Sequence, residues 1–115
     1  HDFDEALRLA DRIAIMKDGA VEQCDTPDQI VMNPATEYVR KFTEEIDKSR
    51  VVHASILATA DQTGEGAAIS ARAPIHELAA QLVGETREFI PVKDGETIVG
   101  AMSRQKALKV LVGAD

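Results

Sequence analysis

The chain has 115 residues, a formal net charge of −7, and a composition that is 44% hydrophobic and 29% charged. That length allows one domain or two small ones, with an adequate but small core. An acidic surface repels phosphate backbones and anionic lipid heads, which argues against nucleic acid or membrane binding by bulk charge. No apolar run approaches the roughly 18 residues that cross a bilayer. A single cysteine cannot form an internal disulfide and suits a reducing cytoplasm.

The first predicted elements are a helix and a β-hairpin. Apolar residues within 3–11 follow the spacing i, i+3, i+4, i+7, which predicts a helix with one buried face. Residues 13–16 then predict a strand. Asp18-Gly19 indicates a two-residue hairpin turn because both residue types tolerate positive φ. Residues 20–24 are therefore expected to form the returning strand.

Two further helices are predicted before a change in composition. Thr26 is typical of a helix N-cap, and Asn33-Pro34 ends that helix. An apolar face within 38–46 predicts a second helix of about three turns. The polar stretch 47–50 follows, and we interpret it as a linker between two domains.

The chain beyond this linker begins with two predicted strands that a loop separates. Residues 51–57 predict a strand, and the small, glycine-containing stretch 58–66 predicts a loop. Residues 67–71 are expected to add a short strand. A helix then begins at Pro74, with its apolar residues on one face.

The last part predicts a hairpin followed by a helix. Residues 89–92 form the first strand, 93–96 the turn, and 97–102 the second strand. Ser103 is the expected N-cap of the final helix. The predicted order of this part is β-(β)-α-β-β-α, and the predicted class of the whole chain is α+β.

Residues 1–46 carry a first family resemblance. A leading histidine, an Ala-Asp-Arg-Ile step, a strand ending in Asp-Gly and an Asn-Pro…Tyr-Val…Phe segment follow one another: His1, 10–13, 18–19 and 33–42. This stretch resembles the C-terminal tail of an ATP-binding-cassette (ABC) ATPase core, of the type found in importers of glycine betaine, proline and choline. The resemblance implies that His1 is the switch histidine, which contacts the γ-phosphate of ATP in the full-length subunit.

Residues 51–115 resemble a single cystathionine-β-synthase (CBS) motif. The resemblance rests on a hydrophobic-Pro-Val strand, an Asp-Gly turn, a Val-Gly strand and a serine-capped helix, within 89–108. It implies pairing of two motifs, here with a second copy of the chain, and an adenosine nucleotide in the cleft between them. Gly100 and Ser103 match the family's nucleotide pattern, but Lys106 stands where an aspartate binds the ribose. An ammonium group cannot accept hydrogen bonds from hydroxyls, so a weak nucleotide site is expected.

Together the resemblances predict an ABC tail (1–46), a linker (47–50) and a CBS motif (51–115). The implied function is regulatory: CBS pairing would modulate ATPase-driven uptake of glycine betaine, proline or choline by an ABC importer. A ligand-free dimerisation module of the same subunit is the alternative. The resemblance also implies ATP as cofactor of the full-length subunit, a membrane permease subunit as partner, and a cytoplasmic place at the inner face of the plasma membrane.

The sequence does not predict an enzyme in its own right. There is no Gly-x-x-x-x-Gly-Lys-Ser/Thr phosphate loop, and no His/Cys/carboxylate cluster has the spacing of metal ligands. We therefore expect no hydrolysis of ATP by this chain, no metal site and no nucleic acid partner. The first segment is also expected to be the less stable one, because an ABC tail normally packs against the rest of its core.

Overall fold

The computed structural model describes residues 2–113, with side chains from residue 5 onward, and its fold is α+β as predicted. The helices are α1 (Asp2–Leu9), α2 (Pro27–Met32), α3 (Glu37–Phe42), α4 (Lys48–Val51), α5 (Ala54–Leu57), α6 (Ala79–Gly84) and α7 (Arg104–Val112), with a 3₁₀ helix at Ile75–Leu78 before α6. The strands are β1 (Ile13–Lys17), β2 (Ala20–Asp25), β3 (Ala58–Thr59), β4 (Ile69–Ser70), β5 (Phe89–Asp94) and β6 (Thr97–Ser103).

The predicted first hairpin is present as an antiparallel pair of β1 and β2. Asp18 and Gly19 form its turn with φ of 51° and 81°, which confirms the reason for predicting a turn there. Ile15 is buried, whereas Met16 and Val21, which face each other across the pair, are exposed. The hairpin therefore contacts the rest of the chain through one narrow face.

Helices α2 and α3 begin at capping threonines. Thr26 accepts the backbone N–H of Gln29 at 3.3 Å, and Thr36 accepts that of Val39 at 3.2 Å. The predicted helix over 38–46 is shorter than expected, because α3 ends at Phe42 and the Thr43 hydroxyl donates to backbone carbonyls of the last turn. Such side-chain to backbone bonds compete with continuation of a helix.

The second sheet contains four strands in the order β3-β6-β5-β4. Strands β4 and β5 are parallel and are connected through the 3₁₀ helix and α6, while β5 and β6 form an antiparallel hairpin. From β4 onward the element order is therefore β-α-β-β-α, as predicted. Strand β3 lies inside the stretch 58–66 predicted to be a loop, and it pairs with the far edge of β6.

The predicted strand over 51–57 is wrong. Val51 is the last residue of α4, residues 54–57 form α5, and α4 includes most of the predicted linker 47–50. Asp47 caps α4 by accepting the Ser49 N–H at 3.1 Å and the Ser49 hydroxyl at 2.6 Å. The backbone N–H groups of Ala54 and Ser55 then bond to the carbonyls of residues 73 and 71, so tertiary hydrogen bonds fix the chain here.

One hydrophobic cluster includes residues from both predicted domains. Fully buried residues of the first predicted domain pack in one continuous group with fully buried residues of the second predicted domain. They include Leu7, Ile15, Ile30, Val31, Val39, Val51, Val52, Ile75, Leu82, Ile90, Val92 and Met102. The polar boundary suggested by the sequence thus crosses a shared core, and the division into two domains stays a prediction.

Candidate functional site

The three nucleotide-site candidates lie along β6 and the start of α7. Gly100 is buried in β6, with φ of 149°, where β3 crosses close to the strand. A Cβ at this position would lie 2.4 Å from the carbonyl oxygen of Thr59. Strand β3 therefore approaches β6 so closely at Gly100 that a residue with a side chain would not fit there.

Ser103 and Lys106 meet at the first turn of α7. The Ser103 hydroxyl accepts the backbone N–H of Lys106 at 3.2 Å, so the predicted N-cap is confirmed. The Lys106 residue itself is exposed. Three of the clefts that described residues line do not contain Gly100, Ser103 or Lys106 in their linings. The proposed catalytic residue of the full-length subunit, His1, lies outside the described residues.

Helix α4 is the joint between the two segments. It packs against α1 and α2 of the first segment, and against α7 and the 3₁₀ helix of the second. Ser49, Val51 and Val52 in or beside it are all nearly inaccessible to solvent. The capping bonds from Ser49 hold the pKa of Asp47 below its ordinary value, and the hydroxyl makes the largest contribution. The stretch predicted as a linker is therefore a fixed packing centre.

Asp28 and His53 connect the same two segments through polar contacts. The Asp28 carboxylate, in the first turn of α2, accepts the backbone N–H of His53 at 2.8 Å. It also lies 3.1 Å from Nδ1 of the His53 ring. With Nδ1 as the donor, the neutral ring presents Nε2 as an acceptor. No local motif predicts this contact, because the two residues lie 25 positions apart.

Arg87 fixes the loop between β3 and β4. Its guanidinium donates to the carbonyls of Glu65 and Ala67 at 2.6 and 2.8 Å, and it forms an ion pair with Glu85 at 2.8 Å. The bonds from Arg87 lower the pKa of Glu85 from 4.5 to about 2. Gly64 of the loop lies against β5, where an added Cβ would be 2.7 Å from a backbone carbonyl. The loop thus packs closely against β5.

Metal sites and membrane-spanning helices are two other features that the structure can be compared with. Among residues whose placement is described, no group of three or more His, Cys, Asp or Glu side chains is arranged to hold a metal ion. Within residues 2–113, no helix has both the length and the apolar character needed to span a bilayer.

Comparison with curated proteins found relatives along almost the whole chain. The trimethylamine N-oxide transport system ATP-binding protein of Ruegeria pomeroyi is 66% identical over 99% of this chain and 34% of the relative. The protein of the same description from Pelagibacter ubique is 44% identical over 94% of the chain and 32% of the relative. The glycine betaine/proline betaine transport system ATP-binding protein of Escherichia coli is 41% identical over 90% of the chain and 26% of the relative.

The chain spans about a third or less of the length of these curated relatives. No profile of a known protein family matches it, and no solved structure matches it. The relatives nevertheless agree with one another: the chain belongs to the ATP-binding subunits of ABC importers. Within that class it corresponds to a C-terminal part of the subunit, which confirms the first resemblance, and the relatives named above are described as transporting trimethylamine N-oxide or betaines.

Proposed function

We propose that the chain is the regulatory part of an ATP-binding subunit in an importer of small methylated solutes. Its second segment would adjust how readily two such subunits close on ATP. The joint at α4 carries this proposal, because one short helix packs against both segments. If the second segment rearranged, the change would pass to the first segment through the packing around α4. A regulatory element with two states needs such a connection to the part that it regulates.

The whole subunit would bind ATP, contact a membrane permease subunit and work at the inner face of the plasma membrane. The names of the two relatives with 66% and 44% identity favour trimethylamine N-oxide as the transported solute. Glycine betaine or proline betaine is the second candidate, because the Escherichia coli relative matches 90% of the chain. Uptake of labelled trimethylamine N-oxide by cells that carry the whole system tests this order. Stronger competition by glycine betaine than by unlabelled trimethylamine N-oxide would reverse it.

The regulatory role is tested in the whole subunit by loosening the joint. Asp28→Ala removes the carboxylate that holds His53, and it leaves the proposed switch histidine His1 unchanged. We expect the kcat of ATP hydrolysis to change while the KM for ATP stays the same, because closure and not nucleotide contact is altered. Asp61→Ala, which removes an exposed carboxylate of the β3–β4 loop, is the matched control. An unchanged kcat in the Asp28 variant would contradict the proposal.

A second copy of the chain is the proposed pairing partner. The β-α-β-β-α arrangement from β4 to α7 supports a CBS-type unit, and Ile98 and Val99 of β6 are exposed apolar residues beside its hairpin turn. A two-fold pair would cover them. Light scattering at tens of micromolar, a rough range for weak association, should give a dimer mass, and a monomer mass would oppose it.

Nucleotide binding separates the sensor from the ligand-free dimerisation module. A sensor gains thermal stability with its ligand, by RT ln(1+[L]/Kd). With Lys106 at the ribose position we expect weak binding of ATP and AMP, which Lys106→Asp should convert into tighter binding of adenosine. No binding before or after the substitution favours the dimerisation module. The chain itself should release no phosphate from ATP, which a phosphate-release assay on the purified chain checks.

A further inference from the structure

A cleft of about 420 Å³ opens beside the ends of two parallel strands. His53, Ser55, Ala71, Arg72 and Asp94 line it. Arg72 follows the end of β4, and Asp94 is the last residue of β5, so both lie at the carboxyl ends of neighbouring parallel strands. The volume is within the range of about 300–1,000 Å³ that small-molecule sites occupy.

Two opposite charges face this cleft without meeting. Among the described residues, neither the Arg72 guanidinium nor the Asp94 carboxylate has a hydrogen bond or ion pair with another side chain. Arg72 and Asp94 both line the cleft, from the ends of neighbouring strands. Such a pair suits a ligand that carries an anionic group and a cationic group at its two ends.

The walls of the cleft are fixed by backbone and side-chain hydrogen bonds. The Ser55 N–H donates to the Ala71 carbonyl at 3.0 Å, and the Ala71 N–H donates to the Lys93 carbonyl at 2.7 Å. Asp28 holds the His53 ring through Nδ1. The backbone of the cleft and the His53 ring are therefore already held, whereas the Arg72 and Asp94 side chains lose conformational freedom when a ligand binds.

We propose that this cleft binds a small zwitterion of the free amino acid class. The ligand carboxylate contacts the Arg72 guanidinium and the Ser55 hydroxyl. Its ammonium group donates to the Asp94 carboxylate and to Nε2 of His53. The lining contains no aromatic side chain that would form a cage for a quaternary ammonium, so the ligand carries a primary or secondary ammonium.

This site is separate from the nucleotide candidates. Ser103 pairs with Phe89 at the start of β5, whereas Asp94 is at the other end of that strand. His53 belongs both to the cleft and to the contact with Asp28 on α2. A bound zwitterion therefore touches His53, which Asp28 of the first segment holds.

Glycine is the probe for this site, in a titration of the isotopically labelled chain followed by amide chemical shifts. We expect saturable shifts at Ala71, Arg72 and Asp94, with a Kd on the order of 1–10 mM for a small exposed site. Acetate and methylammonium each keep one half of the zwitterion and should bind at least about tenfold more weakly. Arg72→Gln and Asp94→Asn should each weaken glycine binding by about the same factor. Asp61→Asn is the control and should leave it unchanged.

Both substituted residues are exposed, so we expect both cleft variants to fold. The amide spectra of the variants check this directly. Glycine shifts that do not saturate by concentrations on the order of 100 mM would overturn the proposal. Equal binding of acetate and glycine would also overturn it, since the cleft would then be a simple anion site. Glycine binding that persists in both charge variants would place the ligand elsewhere.

Discussion

The two sheets of this molecule differ in how much of each is buried. In the β1–β2 hairpin, Ile15 is buried while Met16 and Val21 are open to solvent. In the β5–β6 hairpin, the central residues of both strands are buried on both faces. The first sheet is attached through the apolar contacts of Ile13 and Ile15 and through polar side-chain contacts of β2, whereas residues of the second sheet form much of the core.

This difference in burial is a physical reason to expect that the first segment is less stable than the second. Few buried apolar contacts and exposed backbone hydrogen bonds mark the regions that open first in native-state exchange. The shared cluster works against a complete separation, because Leu7 and Ile15 belong to the same core as Ile90. We therefore expect partial opening of β1–β2 to precede global unfolding.

The largest expected effects come from a matched pair of isoleucine substitutions, one in each sheet. Ile90→Ala should destabilise the whole chain by roughly 2–5 kcal/mol, because it leaves a cavity at a site with no solvent exposure. Ile15→Ala should fall at the lower end of that range and mainly reduce exchange protection within β1 and β2. Urea unfolding and amide exchange measure the two responses. Equal global losses, with no selective opening of the hairpin, would show that the two sheets are one cooperative unit.

The features that the sequence predicts correctly are those that depend on residues close together in the chain. The Asp18-Gly19 turn and the Ser103 cap depend on neighbouring residues, and both are confirmed. The strand expected over 51–57 failed because its apolar residues are buried by elements distant in sequence, which are helices around α4 and strands β4 and β6 around α5. Asp47 was the one local sign of a helix there, as an N-cap before Ser49. The Asp28–His53 contact and the cleft beside it depend on tertiary folding, which no short motif encodes.

The second prediction tests the close approach of strands within the larger sheet. Gly100→Ala should cost roughly 1–3 kcal/mol from overpacking against Thr59, and its positive φ adds roughly 1 kcal/mol more. Gly95→Ala is the control, because that glycine also has positive φ but no atom near a new Cβ. It should lose only about 1 kcal/mol. Thermal unfolding measures the difference, and equal losses would mean that β3 moves aside without cost.

The third prediction concerns the contact between the two segments. Asp28→Ala leaves the His53 N–H without its acceptor and should destabilise the chain by roughly 1–3 kcal/mol. The exchange rate of the His53 amide should rise more than that of amides in β5. The Asp61→Ala control should change neither quantity. If the His53 amide stays protected in the Asp28 variant, the contact does not hold the joint together.

The smallest expected effect is a pH dependence from the Glu85–Arg87 pair. The folded-state pKa of Glu85 is lowered from 4.5 to about 2, so its stabilising contribution is complete above pH 4.5 and is lost as the pH falls towards 2. Glu85→Gln should therefore lower the melting temperature at pH 7, and this difference should shrink as the pH falls from 4.5 to about 2. Glu96→Gln, at the exposed β5–β6 turn, should show no such convergence. A Glu85→Gln deficit that stays constant down to about pH 2 would mean that the carboxylate stabilises the loop by packing and not by its charge on Arg87.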